Sequence, residues 1–175
     1  MQPDPGWQEP WKGVARRVVP VGRRALNDPI IVLRQLFLSF VVSLFLFQFV
    51  LLFLALGEPA KPGLALLLVG IGALVAVIGP RFAPRLSCES DAALASSYRN
   101  RFFVRIATSE SAALLGFVAF FTANTWWSYP LGAAIALAGY WFAAPTCAHF
   151  ARDQEALNAG GCGRSLVDAL RGSHS

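Results

Sequence analysis

Leu36 to Leu56 is a run of 21 residues without one charged side chain, and its only polar side chains are Ser39, Ser43 and Gln48. In hydrocarbon every backbone N–H and C=O must be paired within the segment, and a helix does this. About 20 apolar residues carry such a helix across a bilayer core. The run therefore predicts a transmembrane helix. Composition agrees. Hydrophobic residues make up 55% of the 175 residues and charged residues 14%, against about 25% charge in soluble domains. An ordinary soluble enzyme, a disordered chain and a secreted disulfide scaffold are all excluded.

Three further spans follow: 63–79, 106–124 and 129–148. The second has 17 residues, which favours tilt or local thinning. Gly57 to Pro62 turns the first span into the second, with Pro62 in the first turn of the new helix. Asn124-Thr125-Trp126-Trp127-Ser128-Tyr129-Pro130 turns the third into the fourth without a charge. Trp126, Trp127 and Tyr129 are expected in the interfacial aromatic belt. From Ser90 to Arg105 there is no Gly or Pro, and Ser90 or Asp91 suits an N-cap. The third helix is thus expected to start outside the membrane and run from Asp91 to Thr122. The expected fold is all-α: four transmembrane helices in two hairpins (36–148), a basic N-terminal segment (1–35) and an amphipathic tail (149–175).

Basic residues set the orientation. Lys12, Arg16, Arg17, Arg23, Arg24 and Arg34 precede the first span, and Arg81, Arg85, Arg99, Arg101 and Arg105 fill the middle loop. The first turn has only Lys61 and the Trp-rich turn has none. Both termini and the middle loop are therefore expected in the cytoplasm, with the chain in a bacterial inner membrane. Thirteen Arg against two Lys suits a high-GC bacterium such as an actinobacterium. The net charge of +5 is an orientation signal and not a nucleic-acid one. Arg16, Arg17, Arg99, Arg101 and Arg105 are the candidate contacts for anionic phospholipid. The stretch 11–27 reads as a surface-lying lipid contact and not as a signal peptide.

The spans differ in character. The first carries Phe37, Phe40, Phe45, Phe47, Phe49 and Phe53 around its circumference. The second and fourth carry small residues four apart: Gly72 and Ala76, Gly132 and Ala136, Gly139 and Ala143. Such pairs let helix backbones approach closely in lipid. Packing inside the bundle weighs above docking of another subunit.

Glu110 is the one acidic residue inside a predicted span. Intramembrane acids are functional candidates. Glu110 lies five residues past Arg105, about 7.5 Å along a helix, so snorkelling or pairing is expected ahead of a proton or ion site. Cys88, Cys147, His149 and Cys162 fall on the cytoplasmic side of this topology, where thiols stay reduced and disulfides are not expected. No CxxC is present, and Cys147 and His149, two apart, point in different directions on a helix. No metal and no cofactor is expected.

Tyr98 to Ile106, followed by Ser109 to Phe117, resembles a stretch of uncharacterised bacterial four-helix membrane proteins, a resemblance that implies architecture and no activity. Glu110 to Phe117 is similar to the carboxylate-bearing helix of ATP synthase proteolipid subunits, which implies a proton-carrying role for Glu110. The chain departs from that family in its Phe-rich first helix and in placing the acid near one face. P-loop, GxGxxG, HExxH and GxSxG motifs are absent. The expected function is a non-catalytic accessory subunit of a larger membrane complex, or a self-associating one. The alternative is an oligomeric proton, ion or solute pathway using Glu110.

Overall fold

The computed structural model describes residues 29–54 and 61–172. Arg16, Arg17 and most of the basic N-terminal segment lie outside the described residues, as does most of the first turn. Among the described residues there are six α-helices and no strand: α1 (Pro29–Leu51), α2 (Pro62–Ile78), α3 (Asp91–Thr122), α4 (Ser128–Ala143), α5 (Cys147–Ala159) and α6 (Leu166–Gly172). A 3₁₀ turn, Gly79–Phe82, extends α2. Three helices are long and apolar enough to cross a membrane: α1, α2 with its 3₁₀ turn, and α3. A fourth crossing is counted only when α4 and α5 are taken together across the break at 144–146.

Local chemistry sets the ends of these helices. α1 opens on Pro29, seven residues before the first charge-free run, and stops at Leu51 instead of Leu56. Arg34 and Gln35 are buried inside the helix and do not mark its entry. Pro62 stands in the first turn of α2, where its missing N–H costs nothing. The expected start of α3 is met: the Ser90 hydroxyl accepts from the Ala93 N–H at 3.1 Å. The helix then runs unbroken for 32 residues to Thr122, roughly 48 Å. Asn124 follows in the left-handed region at φ 51°, a conformation that Asn tolerates and that ends helices.

The fourth span differs most from expectation. It does not continue to Ala148 but ends at Ala143, after 16 residues. Pro145 is the reason. It has no N–H to donate, and it forces Ala144 out of helical geometry. At about 24 Å, α4 alone is shorter than a hydrocarbon core of about 30 Å. The chain restarts as α5, with Thr146 as its cap and the His149 N–H on the Thr146 hydroxyl at 3.3 Å.

The chain divides into two compact units. The first draws on 29–41, 85–99 and 144–172, the second on 42–54, 61–84 and 100–143. In the first unit Ile30, Leu33, Leu94, Tyr98, Phe150, Leu166 and Leu170 form the buried interior. The Tyr98 and Phe150 rings stack at 5.4 Å.

In the second unit α2 packs on α4. Helix α2 buries Ala65, Val69 and Gly72, a stripe at i, i+4 and i+7, and exposes Leu66, Leu67, Ile71, Leu74 and Val77. That surface is apolar and suits lipid. A Cβ added at Gly72 would stand 2.6 Å from the Ala112 Cα, so the backbones of α2 and α3 nearly touch there. Gly132 of α4 lies as close to the Ala112 carbonyl. Gly139 faces Ser109, and Ala136 is fully buried. Ala143 is also buried, whereas Ala76 is partly exposed.

Gly72→Leu should therefore force α2 and α3 apart and destabilise the second unit by about 1–3 kcal/mol, the usual cost of overpacking. Gly70→Leu has nothing within 4 Å to meet and should change stability by less than about 0.5 kcal/mol. Equilibrium unfolding of detergent-solubilised protein in mixed micelles checks both.

Candidate functional site

Glu110 lies on α3 in the second unit, half-buried. It faces the hydroxyl of Tyr140 on α4, and Tyr129 of the same helix is close enough to feel its charge. Tyr140 is 1% exposed. Eleven residues separate the two tyrosines, about three turns, so α4 presents both rings on one face. The Tyr129 hydroxyl donates to the Leu44 carbonyl of α1 at 2.9 Å.

Tyr129 is thus turned into the bundle and not outward. It is 2% exposed and ties α4 to α1. Trp126 is exposed, and Trp127 packs beside Ala65, Ala119 and Ala123. The turn that carries them is closed by hydroxyls. Ser128 Oγ lies 2.9 Å from the Gly116 carbonyl and 2.8 Å from that of Thr125, and the Lys61 N–H reaches the Ala123 carbonyl at 3.3 Å.

Arg99, Arg101 and Arg105 sit on the first half of α3, at spacings that place Arg101 and Arg105 on one face. All three are at least partly accessible or engaged with neighbours.

The first unit holds the chemistry least visible in the sequence. Arg34 is 0% exposed. Its Nε donates to the Pro145 carbonyl at 3.1 Å, and Nη2 lies 4.0 Å from the Cys147 sulfur. These contacts answer the helix break at 144–146. Broken helices leave carbonyls unpaired, and apolar surroundings do not tolerate that. The Ala144 carbonyl accepts from the Thr146 N–H at 2.8 Å and from His149 Nδ1 at 2.7 Å. A carbonyl only accepts, so Nδ1 carries the hydrogen. The Thr146 carbonyl accepts from the Phe150 N–H at 3.0 Å. With Arg34 on Pro145, every carbonyl of the break is satisfied. His149 is thus a cap on a bent chain, and among the described residues no group of three or more His, Cys, Asp or Glu is placed to hold a metal ion.

The cysteines correct the sequence reading. Cys88 and Cys162 are joined in a disulfide, with Cα atoms 5.9 Å apart across 74 residues of chain. Reduced thiols were expected, because the distribution of basic residues led to the expectation that both lie on a cytoplasmic face. Sequence spacing gave no hint of the pair, because α5 and the glycines at 160, 161 and 163 return the chain to the start of α3. Arg164 reinforces the junction. Its Nη1 pairs with Asp91 at 2.7 Å, and Nε and Nη2 donate to the carbonyls of Cys88 and Glu89 at 3.3 Å. Cys147 takes no part in the disulfide, and its residue is exposed.

A maleimide mass tag should accordingly add once to the non-reduced denatured chain and three times after reduction. Reduction should also cost about 2–4 kcal/mol of stability, the usual value of a bridge across a long loop. Three tags before reduction would refute the pairing. Compared with protein-family models, curated proteins and solved structures, the chain matches none, so no activity is inherited from a relative, and the likeness of residues 110–117 to a proteolipid helix stands on those residues alone.

Proposed function

We propose that the chain is a non-catalytic accessory subunit of a larger bacterial inner-membrane complex, crossing the bilayer four times in two hairpins. The observation that carries this reading is the division of its apolar surface. The small-residue positions Gly72, Gly132 and Gly139 are used in internal packing. What remains outward is a broad apolar face on α1, with Phe45, Leu46, Phe49 and Val50, and another on α2. Apolar side chains of this size gain dispersion contacts on a partner helix as well as in lipid.

The basic residues at 81–105 support a cytoplasmic placement of that loop and of both termini. A disulfide on that face is open to cellular reductants, and the Arg164–Asp91 pair is the tie that remains when the bridge opens.

A photo-crosslinking residue in place of Phe49, and separately of Leu74, should yield adducts with another polypeptide in intact membranes. Adducts with lipid alone, together with recovery as a lone monomer in mild detergent, would sink the subunit reading.

A second reading has its own support. Glu110 faces the buried Tyr140 hydroxyl inside the helical unit, an arrangement able to hold a proton. Copies of the chain would then associate into a proton or ion pathway. Proteoliposomes containing the wild type should show flux that Glu110→Gln lowers at least tenfold. Equal flux in the two removes Glu110 from any pathway.

A further inference from the structure

Two ordered supports carry the sulfurs of the Cys88–Cys162 bridge. Ahead of α3, the Ser87 N–H donates to the Ser97 hydroxyl at 3.0 Å, and the Ser90 hydroxyl caps the helix. Cys88 lies between them. At the end of α5, the Gly161 N–H donates to the Asn158 carbonyl at 2.9 Å and the Cys162 N–H to the Leu157 carbonyl at 3.0 Å. Gly161 makes this tight turn at φ 80°, where glycine is favoured. Gln154 then clamps the turn to α6. Its Oε1 accepts from the Leu166 N–H at 2.7 Å and its Nε2 donates to the Arg164 carbonyl at 2.9 Å. Each half therefore keeps its local shape without the bridge.

What joins the two halves is different in kind. Among the described residues, the polar ties between 160–165 and 88–91, beside the bridge, come from one side chain. Arg164 donates to the Cys88 and Glu89 carbonyls and pairs with Asp91. The Arg164 and Asp91 side chains are 41% and 60% exposed, and exposed pairs are weak and screened by salt. Oxidised, the junction is covalent. Reduced, it hangs on a guanidinium that opens and closes. That guanidinium belongs to the residue two past Cys162 and sits on the backbone of Cys88 itself. We propose that the Cys88–Cys162 bridge is a reversible redox clasp and that Arg164 is its positioning residue, returning Cys88 to Cys162 so that the bridge re-forms in place. The clasp goes beyond the subunit reading. It rests on the cytoplasmic placement of this face, where dithiols are at hand, and needs no partner protein.

The exchange uses a dithiol as reductant. One of its thiolates attacks the sulfur of Cys88, whose residue is exposed, and forms a mixed disulfide. Cys162, 5% exposed, leaves as a thiolate and takes up a proton. The second thiol of the reductant, as its thiolate, then displaces Cys88, which is protonated in turn. The reductant departs as its own disulfide, and two electrons have passed to the protein. An oxidised dithiol runs the same steps backwards.

The test uses the full chain in mild detergent, equilibrated with graded ratios of reduced and oxidised dithiothreitol, quenched in acid and mass-tagged. The wild type should move between the one-tag and three-tag forms and return when the ratio is restored. Arg164→Gln should lower the equilibrium constant for bridge formation at least fivefold. Arg164→Lys, which can still pair with Asp91, should recover part of the loss, and Arg152→Gln, an equal change of charge on α5, should leave the constant unchanged. Trypsin should cut after Arg164 at least tenfold faster in the reduced wild type than in the oxidised one. In cells quenched in acid, the chain should carry three tags during growth and one after a thiol oxidant. Equal cutting in the two forms, a bridge that fails to re-form, or an Arg164→Gln constant equal to that of the wild type would each overturn the clasp. So would a single tag in growing cells, which marks a permanent bond, and that outcome is separate from the crosslinking result.

Discussion

Two glycines meet one alanine at the centre of the second unit. Gly72 of α2 and Gly132 of α4 both press against Ala112 of α3. In lipid there is no hydrophobic gain from bringing helices together, because the tails are as apolar as the side chains. What remains is van der Waals contact, and its sum grows as backbones approach. Any side chain at Gly72 or Gly132 would run into the Ala112 backbone. The surrounding detail follows from that closeness. Ser111 Oγ lies 3.3 Å from the Gly72 carbonyl, and Tyr140 of the apposed α4 faces Glu110.

Polar groups inside this apolar chain are handled locally. Hydroxyls of Thr108, Ser109 and Thr122 each return to a carbonyl three or four residues back on their own helix. Ser128 and Tyr129 do the same work across helices, on Gly116 and Leu44. Arg34 does it across 111 residues. The same rule thus operates at every scale of chain separation, and it explains why a proline in the last span can be kept. Pro145 interrupts a helix, and the exposed carbonyls are met by Thr146, His149, Phe150 and Arg34.

The sequence made the apolar helices and the ends of α3 legible, because charge-free length and a capping serine are local signals. Ser90 and the absence of Gly or Pro from 90 to 105 were enough to place a 32-residue helix. The end of α4 was less legible. The apolar run passes through Ala144-Pro145 without a change in hydropathy, and one missing N–H outweighs the composition around it. The roles of Tyr129 and His149 were hidden for a different reason. Tyrosine favours both interfaces and interiors, and only the neighbouring Leu44 carbonyl decides between them. Glu110 was found by its charge, whereas Tyr140, its partner on another helix, carried no local mark. The Cys88–Cys162 bridge and the contact of Arg34 are long-range facts, and no spacing rule reaches across 74 or 111 residues.

The Arg34 contact also fixes an order of events during synthesis. A chain emerges from the ribosome N-terminus first, and α1 is complete long before Pro145 is made. Until then the guanidinium has neither the Pro145 carbonyl nor the Cys147 sulfur beside it. Burial of Arg34 becomes possible only after the break at 144–146 has been translated. Closure of the first unit is thus one of the last steps in making the protein, and a chain stopped before residue 145 would leave Arg34, inside α1, without two of the contacts that bury it.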